Sequence, residues 1–515
     1  MARSWHVVGS MSSPLISRLF QNRFRSRQVL SDDAGSRPFT EVLDRAVTMA
    51  GHLRGEGAVR TGDRVALLAS PGVDWVEAFL GIVLAGAIAV PLSPSYPPSE
   101  LAWFGEDAGA RAVIVSADQT ERAALLLGDR AVFRLEELAT IATEKPSAVT
   151  LPNLEGSAVA LLLYTSGTTG KPKGAMITHG NVAKQAEIMG EAWAISGADQ
   201  LLHALPLHHL HGLGISLLNA LLSRASIRML PRFDARRVWD EIAGGSVTIW
   251  MAVPTMYQKL FEALDAAPEE VAARWKKGAA GLRLATSGSA ALPVRLASLW
   301  REVTGAIPLE RFGMTEIGVG LTNPLATAER RPGWVGRPPR SVEIRILDEA
   351  GGEIGAGEGE LFVRGPSVFE GYWRRADATS AAFRDGWFAT GDRAERDEEG
   401  CVRLLGRTSV DILKSGGYKL SALEIEEALR EHGAVREVAV VGLPDETWGD
   451  RVVAAIVAEP GREGELSTEV VRAWARDRLA SYKIPREVVV MDVLPRNALG
   501  KVVKPELMAL LSKRG

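Results

Sequence analysis

The chain has 515 residues, of which 46% are hydrophobic and 24% are charged, so coiled coils, collagen-like fibres and wholly disordered chains are excluded. The net charge of −3 gives no overall positive field, and we therefore predict no nucleic-acid partner. The one cysteine, Cys401, excludes an internal disulfide framework and a cysteine-based zinc cluster, and it fits a reducing compartment.

The N-terminal region is rich in arginine: the first 31 residues contain five arginines and no acidic residue. We predict that residues 15–27 form the amphipathic first helix of a cytoplasmic protein. The alternative is a transit peptide, which would place the protein in the mitochondrial matrix. The most apolar run, residues 78–90, is shorter than the roughly 20 residues that span a bilayer. We therefore predict no membrane span.

Short apolar runs alternate with helical patterns along the first 400 residues. Residues 64–69, 87–92 and 112–115 are typical of strands, and residues 73–85 are typical of a helix. Such βαβ alternation predicts mostly parallel sheets with helical crossovers.

The pattern changes after residue 341, where short strands are separated by glycine-rich turns. We predict strands over residues 342–347, 359–363 and 401–405. After them, the pattern predicts helices over 422–429 and 467–479 and strands over 435–441 and 487–491. The predicted fold is thus α/β: a large domain, residues 1–405, built from βαβ sheets and a β-rich subdomain, then a small α+β domain, residues 406–515.

A loop suited to binding phosphate follows an apolar strand in the segment LLLYTSGTTGKPKG, residues 161–174. Its glycines would let backbone N–H groups approach phosphate oxygens, while its hydroxyls add donors and its lysines add charge. The spacing of the glycines excludes a Walker A loop. The alternative is a solvated turn. The candidate phosphate-binding residues are Thr165, Ser166, Gly167, Thr168, Thr169, Gly170, Lys171 and Lys173.

This loop closely resembles the phosphate loop of the adenylate-forming superfamily, which comprises acyl-CoA synthetases, luciferases and nonribosomal-peptide adenylation domains. Four more segments follow in the family's order: RFGMTE at 311–316, TGD at 390–392, GR at 406–407 and PRNALGK at 495–501. The resemblance extends from residue 38 to residue 506, nearly the whole chain.

The resemblance implies an enzyme that binds ATP and Mg²⁺ and converts a carboxylate to an acyl-adenylate. Lys501 would bridge the substrate carboxylate and the α-phosphate, Thr315 would donate to the α-phosphate, and Glu316 with Thr165 would bind Mg²⁺. Phe312 would stack on adenine, where the family usually has tyrosine. Asp392 would accept hydrogen bonds from the ribose hydroxyls. The other implied nucleotide-binding residues are Gly288, Ser289, Ala290, Arg311, Gly313 and Arg407.

The resemblance also implies a second step, in which the small domain rotates about a hinge at residues 409–411. Rotation would remove Lys501 and bring in the loop of Ser415, Gly416 and Gly417, which would line the path of the CoA thiol. No carrier-protein domain follows Gly515, so we expect free CoA as the acceptor.

Three further segments, residues 205–214, 251–257 and 283–292, are similar to malonyl-CoA synthetases and the acyl-CoA synthetase family member 3 group. This similarity implies a short dicarboxylate substrate, whose second carboxylate Arg283 would bind bidentately. Arg283 could instead be an exposed cation before a strand. Thr255, Ser287, His209 and Met314 would complete the pocket.

Four clustered histidines, His203, His208, His209 and His211, allow two interpretations. We predict that His209 acts as a gate beside the acyl pocket and takes part in catalysis. The alternative is a zinc site, because the His-x-His spacing is compatible with zinc.

We therefore predict an ATP-dependent, AMP-forming ligase that makes malonyl-CoA or methylmalonyl-CoA, as a monomer or homodimer. One alternative is the same chemistry on a short or medium fatty acid. A second is an acyl-AMP ligase that loads a separate carrier protein, and a third is a non-catalytic homologue.

Overall fold

Two β-sheets with helices on their faces make up most of the N-terminal part of the chain. The computed structural model describes residues 12–23, 27–55, 59–143, 149–165, 172–408, 410–415, 418–445, 448–497 and 501–513. The strands of these two sheets are, in chain order, β1 (Val29–Asp32), β2 (Gly35–Pro38), β3 (Arg64–Leu68), β4 (Ile88–Pro91), β5 (Ala110–Val115), β6 (Ala131–Arg134), β7 (Val159–Thr165), β8 (Lys173–Thr178), β9 (Gln200–His203), β10 (Ser226–Met229), β11 (Ile249–Ala252), β12 (Leu284–Ser287), β13 (Leu309–Met314) and β14 (Gly318–Thr322).

Helices connect these strands and cover the sheets. They are α1 (Pro14–Arg23), α2 (Phe39–Gly55), α3 (Val73–Leu84), α4 (Pro98–Ala108), α5 (Ala124–Leu127), α6 (Leu135–Ile141), α7 (His179–Ala192), α8 (Asn219–Leu222), α9 (Ala235–Ala243), α10 (Pro254–Asp265), α11 (Glu269–Ala279) and α12 (Val294–Thr304). A π-helix, His211–Leu218, runs directly into α8. No helix among the described residues is long and apolar enough to cross a membrane.

The strand orders are β14-β13-β12-β11-β9-β10-β1-β2 in the first sheet and β17-β8-β7-β4-β3-β5-β6 in the second, where β17 is the short strand Gly371–Tyr372. The central pairs are parallel and the edges carry antiparallel pairs. Runs such as Arg64–Leu68 are apolar because both faces of a parallel sheet are covered by helices. One apolar core spans both sheets and the helices between them.

The β-rich part that follows forms an antiparallel sheet. Its strands are β15 (Glu343–Leu347), β16 (Gly357–Arg364), β18 (Phe383–Arg384), β19 (Trp387–Arg396) and β20 (Val402–Arg407), and α13 (Ala376–Ala382) precedes β18. The three strands predicted from the glycine-rich pattern correspond to β15, β16 and β20.

The C-terminal part has its own sheet and its own apolar cores. Its elements are β21 (Ile412–Ser415), β22 (Tyr418–Ser421), α14 (Ala422–Arg430), β23 (Val435–Asp445), β24 (Gly449–Ala458), α15 (Thr468–Ala475), β25 (Glu487–Val490) and α16 (Lys504–Ser512). The sheet is antiparallel except for the pair of β24 and β25. The predicted α/β fold with a small C-terminal α+β part is confirmed, and the boundary at residues 405 and 406 stays a prediction.

The first helix is shorter than predicted. It covers Pro14–Arg23 rather than residues 15–27, and its apolar face, Leu15, Ile16, Leu19 and Phe20, is buried in the core. That burial is typical of a structural helix of the fold. Residues 1–11 lie outside the described part of the chain.

Candidate active site

The predicted Mg²⁺ ligands Thr165 and Glu316 lie side by side. Thr165 ends β7, and Glu316 lies in the turn between β13 and β14, with Thr165 Oγ1 at 3.5 Å from Glu316 Oε1. The Tyr372 hydroxyl donates to the same carboxylate oxygen at 2.9 Å. Burial raises the pKa of Glu316, and the hydrogen bond from Tyr372 opposes that rise. A buried carboxylate beside a hydroxyl is a set of hard oxygen donors that fits Mg²⁺.

The phosphate loop between β7 and β8 is described only at its two ends. Residues 166–171, with six of the eight candidate phosphate-binding residues, lie outside the described residues. At the far end, Lys173 Nζ lies 5.2 Å from the centre of the Tyr372 ring. Thr165 and Lys173 are paired across β7 and β8, so one end of the loop lies against Glu316 and the other against Tyr372, which donates to Glu316.

The predicted ribose-binding pair, Asp392 and Arg407, is joined across β19 and β20. Arg407 Nε lies 2.9 Å from Asp392 Oδ1, and Arg407 Nη1 donates to the Thr390 carbonyl at 3.1 Å. Asp392 Oδ2 is buried and has no partner among the described residues. Burial raises the pKa of Asp392 to about 6, although Arg407 and Lys501 oppose this. Asp392 Oδ2 is thus available to accept a hydrogen bond from a hydroxyl group of a ligand.

Lys501 lies on the C-terminal part but close to Asp392. Its N–H donates to Asn497 Oδ1 at 3.0 Å, and its carbonyl accepts from the Asn497 N–H at 2.9 Å, so two hydrogen bonds hold Lys501 beside Asn497. The side chain is exposed, yet crowding by protein atoms and then repulsion by Arg407 lower its pKa, with Asp411 and Asp392 opposing. The fold therefore brings the predicted catalytic lysine to the predicted ribose-binding carboxylate.

Arg311 and Gly288 lie close together in the site. A Cβ atom on Gly288 would lie 2.5 Å from Arg311 Cζ, so any side chain there would have to displace the guanidinium. Arg311 lies within β13 and is only 4% exposed. Its Nε and Nη2 have no partner in the described part of the chain, and burial lowers its pKa to about 10. A buried guanidinium without a counter-ion is costly, so it is a candidate for binding an anionic ligand.

Of the clustered histidines, His211 lies near this guanidinium, and His209 lies near His211. His211 Nδ1 is 3.0 Å from Ser289 Oγ, and its Nε2, like that of His209, has no partner among the described residues. Burial lowers the pKa of His209 to about 4, and burial together with Arg311 lowers the pKa of His211 well below its ordinary value. Both rings are therefore neutral at pH 7. Near them Gly212 is required, because a Cβ there would lie 2.1 Å from the Pro206 carbonyl oxygen.

The remaining predicted residues lie on the elements around this pocket. Ser287 ends β12 with a buried hydroxyl that has no partner in the described structure, and Thr255 is half-buried in the first turn of α10. Phe312 is buried and Met314 half-buried in β13. The half-buried Gly313 and Thr315 and the exposed Ala290 lie on the adjoining segments.

Two other predicted sites have limited support. Ser415 is buried at the end of β21, opposite Gly449, but Gly416, Gly417 and residue 409 of the proposed hinge lie outside the described residues. The described residues contain no group of three His, Cys, Asp or Glu side chains suited to a metal ion, so the zinc interpretation has no support there.

The prediction for Arg283 is wrong. Its Nε donates to Asp199 Oδ1 and its Nη2 donates to Asp199 Oδ2, both at 2.9 Å, and its Nη1 donates to the Trp193 carbonyl at 3.0 Å. Arg283 precedes β12, whereas Ser287 ends it, and four residues of strand separate them by roughly 13 Å. The guanidinium is therefore occupied at the end of the sheet away from the pocket.

We expect Arg283→Met to lower stability without changing which acid is used. The substitution leaves the buried Asp199 without its bidentate partner, which we expect to cost about 2 kcal/mol, since the arginine is one-third exposed. Thermal unfolding measures this loss. Arg274→Met is the matched control, because it removes an exposed pair with Asp240 and should cost less than about 0.5 kcal/mol. A changed acid preference in Arg283→Met would contradict the structural role.

Comparison with known proteins agrees with this geometry. The family model of the AMP-binding enzymes matches residues 19–373, and that of the AMP-binding enzyme C-terminal domain matches residues 424–501. The chain is 40% identical to the mitochondrial malonate–CoA ligase ACSF3 of Mus musculus, over 99% of this chain and 92% of that protein. It is 38% identical to the malonate–CoA ligase of Arabidopsis thaliana, over 88% of this chain and 79% of that protein.

The chain belongs to the AMP-binding enzyme family. This AMP-binding enzyme also resembles the ATP-bound crystal structure of MatB from Rhodopseudomonas palustris, with 33% identity, a TM-score of 0.89, and coverage of 98% of this chain and 100% of that chain. The apo crystal structure of MatB matches with a TM-score of 0.81. The predicted membership of the adenylate-forming superfamily is confirmed.

Sequence reasoning missed one residue of the site in this AMP-binding enzyme, and it did not predict the surroundings of another. Tyr372, which donates to Glu316, carries no signal in the sequence. Arg311 was predicted to bind the nucleotide, but the structure places its guanidinium against Gly288 and close to His211. A signal for it existed: Glu310 and Arg311 interrupt an apolar strand pattern, and a charge inside a buried strand needs a partner or a ligand.

Proposed function

We propose that this AMP-binding enzyme is an ATP-dependent malonate–CoA ligase that acts through malonyl-adenylate and releases AMP and diphosphate. The observation that carries this proposal is the buried guanidinium of Arg311, which lacks a counter-ion among the described residues. The names of the relatives from Mus musculus and Arabidopsis thaliana support the same substrate.

The proposed acyl pocket consists of Arg311, Ser287, Ser289, His209 and His211. Malonate carries a second carboxylate that does not react, and in an apolar pocket this charge would be left unsolvated. The Arg311 guanidinium can bind that carboxylate through two parallel hydrogen bonds, while the neutral imidazoles add no competing charge. A monocarboxylate would leave the guanidinium unpaired, so the same residue selects against it.

ATP would bind across the two parts of the chain. The phosphate loop would hold the β- and γ-phosphates, Asp392 would accept from the ribose hydroxyls, and Phe312 would stack on adenine. Glu316 and Thr165 would hold Mg²⁺, which neutralises charge on the phosphates when it is bound.

In the first step, an oxygen of the reacting carboxylate attacks the α-phosphorus, and the bond to diphosphate breaks. Negative charge accumulates on the α-phosphoryl oxygens, and Lys501 and Thr315 would stabilise it. Lys501 also pulls the two anions together, because its ammonium attracts both the carboxylate and the α-phosphate.

In the second step, the sulfur of CoA attacks the acyl carbon, the bond to the AMP oxygen breaks, and malonyl-CoA forms. Gly416 and Gly417, next to the buried Ser415, would leave room for the slender pantetheine arm. His209, with an unprotonated ring, would stand at the entrance to the acyl pocket.

We propose the cytoplasm as the location and a monomer or homodimer as the active form. The mitochondrial matrix remains the alternative location, since vertebrate relatives carry the word mitochondrial in their names. ATP, Mg²⁺, CoA and the acid are the proposed partners.

The test is diphosphate release with ATP, Mg²⁺ and CoA across malonate, methylmalonate, acetate, butyrate and octanoate, with AMP and thioester measured in parallel. We expect malonate and methylmalonate to be turned over far faster than the three monocarboxylates. Preference for octanoate would contradict the dicarboxylate proposal and leave the adenylation chemistry in place. If the acyl-adenylate forms but no thioester with CoA is produced, an acyl-AMP ligase is favoured.

A further inference from the structure

A buried cluster of charges lies three residues beyond Lys501. Lys504 begins α16 and is 9% exposed, and its Nζ lies 2.5 Å from Asp411 Oδ1 and 2.7 Å from Glu426 Oε1. Burial acts to lower the pKa of Lys504, but Glu426 and Asp411 together raise it above its ordinary value. The ammonium is therefore charged and held between two carboxylates.

Asp411 lies in the connection between the large N-terminal part and the small C-terminal part. Its Oδ2 accepts from the Arg407 N–H at 3.0 Å, and its own N–H donates to the Arg407 carbonyl at 2.8 Å. A Cβ on Gly406 would lie 2.3 Å from Asp411 Cβ, so the connection folds tightly back on itself. The carboxylate of Asp411 thus closes the turn that joins the two apolar cores.

Glu426 anchors the other side of the cluster to the C-terminal part. Its Oε1 accepts from the Val440 N–H at 2.9 Å, and its Oε2 pairs with Arg430 Nη2 at 3.1 Å. Lys504 therefore connects three elements: the interdomain turn, α14 and the start of α16.

The same segment carries Lys501. The Val503 N–H donates to the Pro495 carbonyl at 2.9 Å, and Arg496 and Val502 form an antiparallel bridge, so residues 495–497 and 501–503 are the two paired arms of a hairpin. Lys504 directly follows this hairpin. Since Arg407 is bonded to both Asp392 and Asp411, the Lys504 ammonium ties the hairpin to the ribose-binding pair.

We propose that Lys504 is a positioning residue that holds Lys501 over the adenylation site by fixing its hairpin to the interdomain turn. The proposal rests on the proposed function, in which Lys501 serves the first half-reaction. The Lys504 ammonium is itself paired to Asp411 and Glu426, so the proposal gives it no contact with the reacting atoms. Its loss should therefore affect adenylation more than transfer to CoA.

The test compares the two half-reactions in Lys504→Met. Malonate-dependent exchange between ATP and labelled diphosphate measures adenylation. For the second step, enzyme-bound malonyl-adenylate is formed first from ATP and malonate with pyrophosphatase, then mixed with CoA, and the thioester is measured by rapid quench. We expect exchange to fall about 10-fold to 100-fold, as for a small displacement of a catalytic group, and the thioester rate to stay within about threefold.

Two variants separate positioning from simple loss of stability. Lys504→Arg keeps the charge and should recover most of the exchange rate. Leu511→Ala removes a buried side chain from the same helix, α16, and should lower the melting temperature without changing the ratio of the two rates.

Equal loss of both half-reactions in Lys504→Met, or the same altered ratio in Leu511→Ala, would overturn the proposal. An unchanged rate of ATP–diphosphate exchange in Lys504→Met would also overturn it. If the wild-type enzyme shows no malonate-dependent exchange but exchanges with another acid, the proposed substrate fails, and the Lys504 comparison is then made with that acid.

Discussion

Replacing Arg311 by methionine is expected to lower kcat/KM for malonate by roughly 10²- to 10⁴-fold, because the second carboxylate then enters a buried site with no cation. Loss of one partner of such a buried pair costs about 3–5 kcal/mol. Methionine has a similar length and fills the space beside Gly288, so the pocket keeps its shape. Activity towards butyrate should be retained or rise, since the unpaired guanidinium no longer penalises a monocarboxylate. Diphosphate release with the two acids measures the change in preference.

Arg283→Met is the matched control for this experiment. It removes a guanidinium that is bonded to Asp199 rather than directed at the pocket, so the ratio of malonate to butyrate activity should not change. If Arg311→Met retained the preference for malonate and Arg283→Met lost it, the acyl pocket would be assigned incorrectly.

Replacing Lys501 by alanine is expected to lower malonate-dependent ATP–diphosphate exchange by about 10²- to 10³-fold, the loss typical of one preorganised group at a developing charge. ATP binding should be retained, because Asp392, Arg407 and the phosphate loop are unchanged. Transfer of a preformed malonyl group to CoA should also be retained. Nucleotide binding by calorimetry and the exchange assay together distinguish these effects.

Lys184→Ala is the control for loss of a positive charge. Lys184 is exposed on α7 and pairs with Glu187, so exchange should be unaffected. Exchange that survives in Lys501→Ala would contradict its catalytic role. Loss of ATP binding in the same variant would instead mean that Lys501 acts on the nucleotide before chemistry.

Local patterns predicted much of the secondary structure. The strand predicted over residues 64–69 is Arg64–Leu68, and the helix predicted over 73–85 is Val73–Leu84. In both, burial on all sides gives a continuous apolar run whose ends are marked by polar residues or glycine. Such elements are defined by neighbours along the chain, so a single sequence is sufficient to predict them.

Elements that depend on distant partners were predicted less well. β23 extends to Asp445 rather than ending at residue 441, because it pairs along its whole length with β24, a strand that the sequence pattern did not reveal. Conversely, α15 ends at Ala475 rather than at residue 479. Strand length is set by the partner strand, which propensity and periodicity do not describe.

Arg283 and Arg311 show the same contrast between what local sequence predicts and what depends on distant partners. Arg283 precedes a strand and Arg311 lies within one, and the sequence gives no distance between either guanidinium and the pocket. In the folded chain, parallel strands place Ser287 and Gly288 at one end of the sheet and Arg283 at the other, where Asp199 neutralises it. Arg311 lies across from Gly288 and has no such partner among the described residues.

The sequence by itself determined the family, the ordered motifs and the residue types that adenylation needs, because these depend on short contiguous segments. Only the tertiary structure decided that Arg283 is paired with Asp199 while Arg311 has no counter-ion among the described residues, that Tyr372 supports Glu316, and that Lys504 connects the Lys501 hairpin to the interdomain turn. These contacts join residues 56 to 93 positions apart, or in separate strands of one sheet. Their energies depend on burial and on neighbouring charges, which exist only once the chain is folded.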